Sequence, residues 1–213
     1  MYFEYGEKET DYLKSRDKKL GEAIDRIGHI YRKADPDLFS SVIHHIIGQQ
    51  ISTAAQETIW KRLTHKVGTV NADTLLSMSR EDLQSIGTTF KKVDYMRDFA
   101  EKVKTGAFDM DALKSMTDEE VIRQLSSLKG LGQWTAEMIM TFSMQRPDIV
   151  SYGDLAIQRG MRMLYRHRKI DAVKFRRYRK RYSPYGSVAS LYLWAIAGGA
   201  IPGLTDPAPK RKS

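Results

Sequence analysis

Apolar side chains in this chain recur every three to four residues, and no convincing run of strict alternation interrupts them. That spacing is the period of a helix buried on one face, and it leaves little room for a sheet. Leu20, Ala23, Ile24 and Ile27 mark one such stripe, ending near Gly28. Asp35-Pro36 reads as an N-cap followed by proline in the first turn, opening a helix through Phe39, Val42, Ile43, Ile46 and Ile47 that Gly48 stops. Ser52 opens the next helix, which Gly68 ends, and Ser79 opens a short one ended by Gly87. Val93, Met96, Phe99, Ala100 and Val103 share a face, and Thr117 with Glu120 makes a capping box. Further helices are expected from about Gln133 to Met144, after Asp154, around Phe175, Tyr178 and Tyr182, and from Val188 to Ala197. The expectation is an all-α fold of about ten helices, compact over residues 1–204, in two lobes with a cleft between them. Residues 205–213, with Lys210-Arg211-Lys212, read as a flexible basic tail.

Composition narrows the chemistry. The 213 residues include no Cys, which removes disulfides, thiolate metal sites and iron–sulfur clusters. No Gly-rich loop ends in Gly-Lys-Ser/Thr, and the five His lack HExxH spacing. His44 and His45 are neighbours on one helix and point about 100° apart, so they are expected to be packed or solvated rather than to chelate. The polar, acidic start suggests no signal peptide, and no run of about 18 apolar residues suggests a membrane span.

Charge is concentrated. Residues 159–182 hold eleven Lys and Arg against Asp171 alone, a local charge of +10 in a chain whose total is +9. Everything outside that block therefore sums to −1. Such a block fits either a polyanion partner or a solvated basic helix face.

Two features carry chemistry. Lys129-Gly130-Leu131-Gly132 places two glycines between two helices. It is either a plain turn or a phosphate site, because glycine admits close backbone approach and the second helix begins with unpaired amides. Asp154 stands where a helix starts; on its own it reads as an N-cap.

Taken together, these features resemble the helix–hairpin–helix DNA glycosylase superfamily, and within it the alkylpurine (3-methyladenine type II) enzymes. The resemblance runs from about Leu20 to Pro202. It rests on Ile46 to Ser52, Ile86 to Lys92, Leu128 to Ala136, Gly153-Asp154-Leu155-Ala156 and Trp194, in that order.

The resemblance implies roles residue by residue. The hairpin, about residues 126–136, grips the DNA backbone through its main-chain amides, with Lys129, Gly130, Leu131, Gly132, Gln133 and Thr135 at the matching positions. The carbonyls of Ser126, Leu128 and Leu131 match positions that hold a monovalent cation, Na+ or K+; no other cofactor is implied. Gln49 and Gln50 form the loop that wedges into the base stack. Trp134, Met138 and Trp194 line the pocket of the extruded base, where an aromatic face suits a cationic methylated purine. Asp154 is the catalytic carboxylate. Bifunctional members carry a nucleophilic Lys where this chain has Trp134, so the implied enzyme is a monofunctional glycosylase.

The implied partner is double-stranded DNA containing alkylated bases, met by a monomer with no membrane association. It would work in the cytoplasm of a bacterium or in a nucleus. A glycosylase for deaminated or oxidised bases and a non-catalytic DNA-binding module remain as alternatives. Two departures from the family's pattern are expected to matter: these 213 residues are too few and too helical to include the extra N-terminal β-domain that related alkyl-base enzymes often carry, and Tyr152 stands where many have a Pro two residues before the Asp.

Overall fold

The computed structural model describes residues 1–208. Twelve α-helices and one 3-10 turn make up its regular structure, and among the described residues the only β pairing is an isolated bridge between Tyr2 and Lys33. The all-α expectation holds, with two helices more than the apolar stripes suggested. The chain divides into two units. One comprises Met1–Ala34 and the chain from Gln145 onward; the other is Asp35–Met144.

The first unit contains α1 (Glu7–Arg16), α2 (Lys18–Ile27), α10 (Leu155–Tyr165), α11 (Ala172–Tyr182) and α12 (Gly186–Ala197). Helix α1 was not anticipated, because Leu13 is its only buried residue. Its charges explain it: Glu7 and Glu9 sit in the first turn and Lys14 and Arg16 in the last, matching the helix dipole. Helix α12 is the core, buried along most of its length. Each large apolar side chain there contributes roughly 1.5–3 kcal/mol. It packs against α10 at Gly160, where a Cβ would fall 2.2 Å from the Leu193 carbonyl oxygen. Only glycine permits that approach.

Buried polar groups tie the ends of this unit together. Asp17, 3% exposed, caps α2 by accepting from the Leu20 amide. It also accepts from the Tyr165 hydroxyl at 2.9 Å and from Arg181 at 3.0 Å. Asp148 accepts from Arg179, from the Ser183 hydroxyl and from the Gly186 amide that begins α12. Within the stretch read as a tail, Asp206 takes a two-pronged ion pair from Arg162. Lys210-Arg211-Lys212 lies outside the described residues.

The second unit contains α3 (Leu38–Gly48), α4 (Thr53–Val67), α5 (Ala72–Ser77), α6 (Arg80–Gln84), α7 (Phe90–Lys104), a 3-10 turn (Ala112–Ser115), α8 (Asp118–Ser126) and α9 (Gln133–Phe142). The cap of α3 is Asp37, not Asp35. The Asp37 carboxylate accepts from the Ser40 amide, while Asp35 accepts from the Asp37 amide and the Ser40 hydroxyl. Two acidic residues flank Pro36, and the one three residues before Ser40 reaches the open amide. Thr117 and Glu120 form the anticipated capping box on α8. The amide and hydroxyl of Thr117 hold the Glu120 carboxyl below its usual range.

Candidate functional site

Asp154 is the N-cap of α10. One carboxylate oxygen accepts from the amides of Ala156 (2.8 Å) and Ile157 (2.9 Å), and the residue is 7% exposed. The cap is therefore real, and it fixes the orientation of a buried carboxylate at the positive end of a helix. The approach is fixed as well. Gln158 donates to the carbonyl of Tyr152 at 2.6 Å, and the Tyr152 ring packs on Phe175 at 4.9 Å between centroids. The residue that replaces proline thus holds its loop by a side-chain contact instead of a fixed φ. Leu155, 79% exposed, follows the acid directly; its apolar character gave no sign of that exposure in the sequence.

Trp194 lies on α12, half-buried in a helix whose neighbouring positions are mostly buried. Gly160 brings α10 and α12 into backbone contact, so the helix that starts at Asp154 and the helix that carries Trp194 are one packed pair.

The second unit holds the hairpin and the loop after α3. Between α8 and α9, Gly130 has φ +86°, and a Cβ there would meet the Tyr95 ring at 2.4 Å. Glycine is required on both counts. Gly132 is the N-cap of α9; no side chain caps that end, and a Cβ at Gly132 would meet nothing within 4 Å. Gly132, Gln133 and Trp134 are exposed. An exposed helix start with no side-chain cap suits an anion. The side chains at the other hairpin positions have partners of their own or are buried. Lys129 pairs with Asp98 at 2.7 Å, which holds the ammonium above its usual range. The Gln133 side chain donates to Glu137, and Thr135 is buried. Trp134 is 48% exposed, whereas Met138 is 5% exposed and belongs to the packed side of α9.

The two glutamines differ. Gln49 does not project: its side-chain amide donates to the Gly130 carbonyl, tying the loop to the hairpin. Gln50 is exposed and has φ 58°. The C-terminal carbonyls of α3 are met by Gln56, which donates to His44, and by Lys92, which donates to Ile47 and Gln49. Gln56 fills the space over Gly48, where a Cβ would lie 2.3 Å from its amide nitrogen. Sequence reasoning gave Lys92, Tyr95 and Gln56 no role, because their partners lie far away in the chain or are main-chain atoms.

His45 bonds the Ser41 carbonyl through Nδ1, and His44 meets the edge of Trp60 at 4.9 Å. Of the two states expected, packed or solvated, both are packed. Among the described residues no group of three or more His, Asp or Glu could hold a metal ion. No described helix is long and apolar enough to cross a membrane. The basic block divides: Arg162, Lys174, Arg179 and Arg181 pair with Asp206, Asp171, Asp148 and Asp17. The other seven are exposed.

Known proteins are similar in sequence and fold. A crystal structure of a DNA-3-methyladenine glycosidase from Bacillus halodurans has 35% identity and a TM-score of 0.83, covering 93% of both chains. DNA-3-methyladenine glycosylase 1 of Schizosaccharomyces pombe is 27% identical over 161 residues, 73% of this chain and 71% of that protein. The structure of Schizosaccharomyces pombe Mag1 in complex with abasic DNA shares the fold, with a TM-score of 0.77 at 22% identity over 92% of this chain and 98% of that one. Bacillus subtilis YfjP is 25% identical across 75% of this chain, which spans 59% of YfjP's length. A family model described as "HhH-GPD superfamily base excision DNA repair protein" matches residues 43–184. That span takes in the loop after α3, the hairpin and Asp154 together, and the chain belongs to the HhH-GPD superfamily of base excision DNA repair proteins.

Proposed function

We propose that this protein is a monofunctional DNA glycosylase that hydrolyses the N-glycosidic bond of flipped, alkylated purines of the 3-methyladenine and 7-methylguanine type. The observation that carries the reading is Asp154: a buried carboxylate oriented by two amides, in a chain 35% identical to a 3-methyladenine glycosidase across 93% of its length.

The chemistry follows from charge. An alkylated purine is cationic, so it departs as a neutral base, taking the electrons of the C1′–N bond. The deoxyribose becomes oxocarbenium-like, and a carboxylate facing it stabilises the positive charge that develops. Water adds to C1′ and gives its proton to Asp154 or to solvent, leaving an abasic site. A cationic leaving group needs no strong general acid. Trp134 follows the hairpin where a lyase would need an amine, and an indole forms no imine. The aromatic faces of Trp134 and Trp194 stack on the extruded base, each contact worth about 1–3 kcal/mol. Gln50 fills the gap that the base leaves. The amides at the start of α9 hold a phosphate, and exposed cations of the 159–182 block add to the attraction.

A monovalent cation belongs to the same reading. The oxygens of Ser126, Leu128 and Leu131 are hard ligands of the right kind, and the Ser126 hydroxyl is buried without a protein partner. The ion would tie the hairpin carbonyls together and add positive charge behind the phosphate. The protein acts as a monomer on duplex DNA, inside the cell compartment that holds it.

The test is a base-release assay on methylated duplex, with the product treated by hot alkali. Free methylated purine is expected, with strand cleavage only after alkali. Cleavage before alkali would contradict the monofunctional reading, and release of deaminated or oxidised bases alone would move the substrate to those lesions.

A further inference from the structure

The last carbonyls of a helix lack partners within it. At the end of α3 one of them and the carbonyl of the C-cap residue Gln49 face the same ammonium: Lys92 Nζ donates to the Ile47 oxygen at 2.8 Å and to the Gln49 oxygen at 2.7 Å. The carbonyl of Gln49 belongs to the residue just before Gln50, which takes a left-handed conformation with no glycine to ease it. Such a residue is strained and persists only where its surroundings fix it. Contacts on both sides of Gln49 fix it. Gln49 is held at its carbonyl by Lys92 and at its side chain by the Gly130 carbonyl. One turn along α7, Tyr95 covers Gly130 so closely that a Cβ there would strike the ring. Lys92 and Tyr95, three residues apart on one helix face, therefore touch the glutamine loop and the hairpin respectively.

We infer that Lys92 is a positioning residue, which sets Gln50 relative to the hairpin so that the stack is opened where the phosphate is gripped. The inference rests on the glycosylase reading for the role of Gln50, but the brace itself is a statement about α3 and α7. Lys92 does this from a half-buried site, and burial pushes its ammonium below the usual lysine range. Two of its three N–H groups are committed to main-chain carbonyls, so a phosphate is not its main partner. Lys91 beside it is exposed, with its ammonium 5.8 Å from the Tyr95 ring centroid, and serves as a control for charge alone.

The experiment compares Lys92→Met with Lys91→Met in the whole chain. The two remove the same charge from adjacent positions. Single-turnover release from a 7-methylguanine duplex is expected to fall between ~10- and ~100-fold in Lys92→Met, the scale of a reacting group misplaced by about 1 Å. Lys91→Met should stay within about 3-fold of wild type. With 2-aminopurine beside the lesion, Lys92→Met should lose the fluorescence rise of unstacking while its melting point stays near wild type. Combining it with Gln50→Ala should add nothing, since both act through one side chain. Normal release and fluorescence in Lys92→Met, or losses that multiply with Gln50→Ala, would overturn the inference. If the wild type releases no methylated base, the functional reading fails; hydrogen exchange at residues 50–52 then decides the brace, with faster exchange expected in Lys92→Met and unchanged exchange contradicting it. Should Lys92→Met not fold, Lys92→Gln carries the same comparisons.

Discussion

Helices α9 and α10 both begin after a glycine-containing turn, yet their first amides are met in opposite ways. At α10 the protein supplies its own anion, the buried carboxylate of Asp154, bonded to two amides. At α9 the cap is Gly132, with no side chain to bond the amides and open space where one would stand. The physics of a helix start is the same in both: several N–H groups without partners and a partial positive charge. One start orients an acid that belongs to the chain; the other carries no side-chain cap. In the proposed reaction the first anion meets the sugar and the second is a phosphate.

Closing the open start should break that contrast. Gly132 has φ −101° and ψ 174°, which any residue can adopt, so Gly132→Asp is expected to fold with a gain of a few tenths of a kcal/mol from the new cap. Duplex affinity, measured by fluorescence anisotropy, should fall by ~10- to ~100-fold, because the new carboxylate takes the amides and repels phosphate. Undiminished affinity would remove the phosphate from α9.

A smaller effect sharpens the other half. Asp154→Ala should cost about 0.5–2 kcal/mol of stability by removing the cap, whereas Asp154→Asn should cost only a few tenths, since Asn caps equally well. Urea unfolding separates the two. Equal losses would mean that the carboxylate is held mainly by something other than the two amides.

The smallest effect concerns acid. Burial holds the His45 imidazole below its usual pKa, as it does that of His44. The unfolded chain then binds protons more readily than the folded one, so stability is complete above about pH 6.5 and is lost as pH falls through the lowered folded value. Melting points taken from pH 7.5 down to 5 should show this decline, and His45→Gln should flatten part of it. An identical decline in the variant would assign it to other groups.

How far the sequence could be read differs between these regions for physical reasons. Stripes at helical spacing placed α2, α3, α7, α10 and α12, because burial of one face is a local pattern. Helix α1 escaped, since its Leu13 is the sole buried side chain and its stability comes from charge at both ends. The cap of α3 was read two residues early, because Asp35 and Asp37 are equally good caps in a string and only geometry shows which reaches the Ser40 amide. Asp154 and the two-glycine hairpin were legible because each spacing is local. The paths of Gln49 and Lys92 were not: Gln49 reaches a carbonyl 81 residues away, and Lys92 reaches carbonyls 45 and 43 residues away. Contacts made to the main chain leave no mark on the identity of the partner residue. Met138, which the resemblance assigns to a pocket, is 5% exposed on α9, a burial that its apolar character already suggests.

The claim on which the account turns is that the carboxylate at the start of α10 acts on the sugar as well as on its own helix. Single-turnover release of 7-methylguanine by Asp154→Asn, with melting point and duplex affinity taken on the same preparation, tests it most directly. Release at least ~100-fold slower, the scale of one lost electrostatic stabiliser, with melting and affinity nearly unchanged, is the expected result. Release at the wild-type rate would leave Asp154 as a helix cap and nothing more.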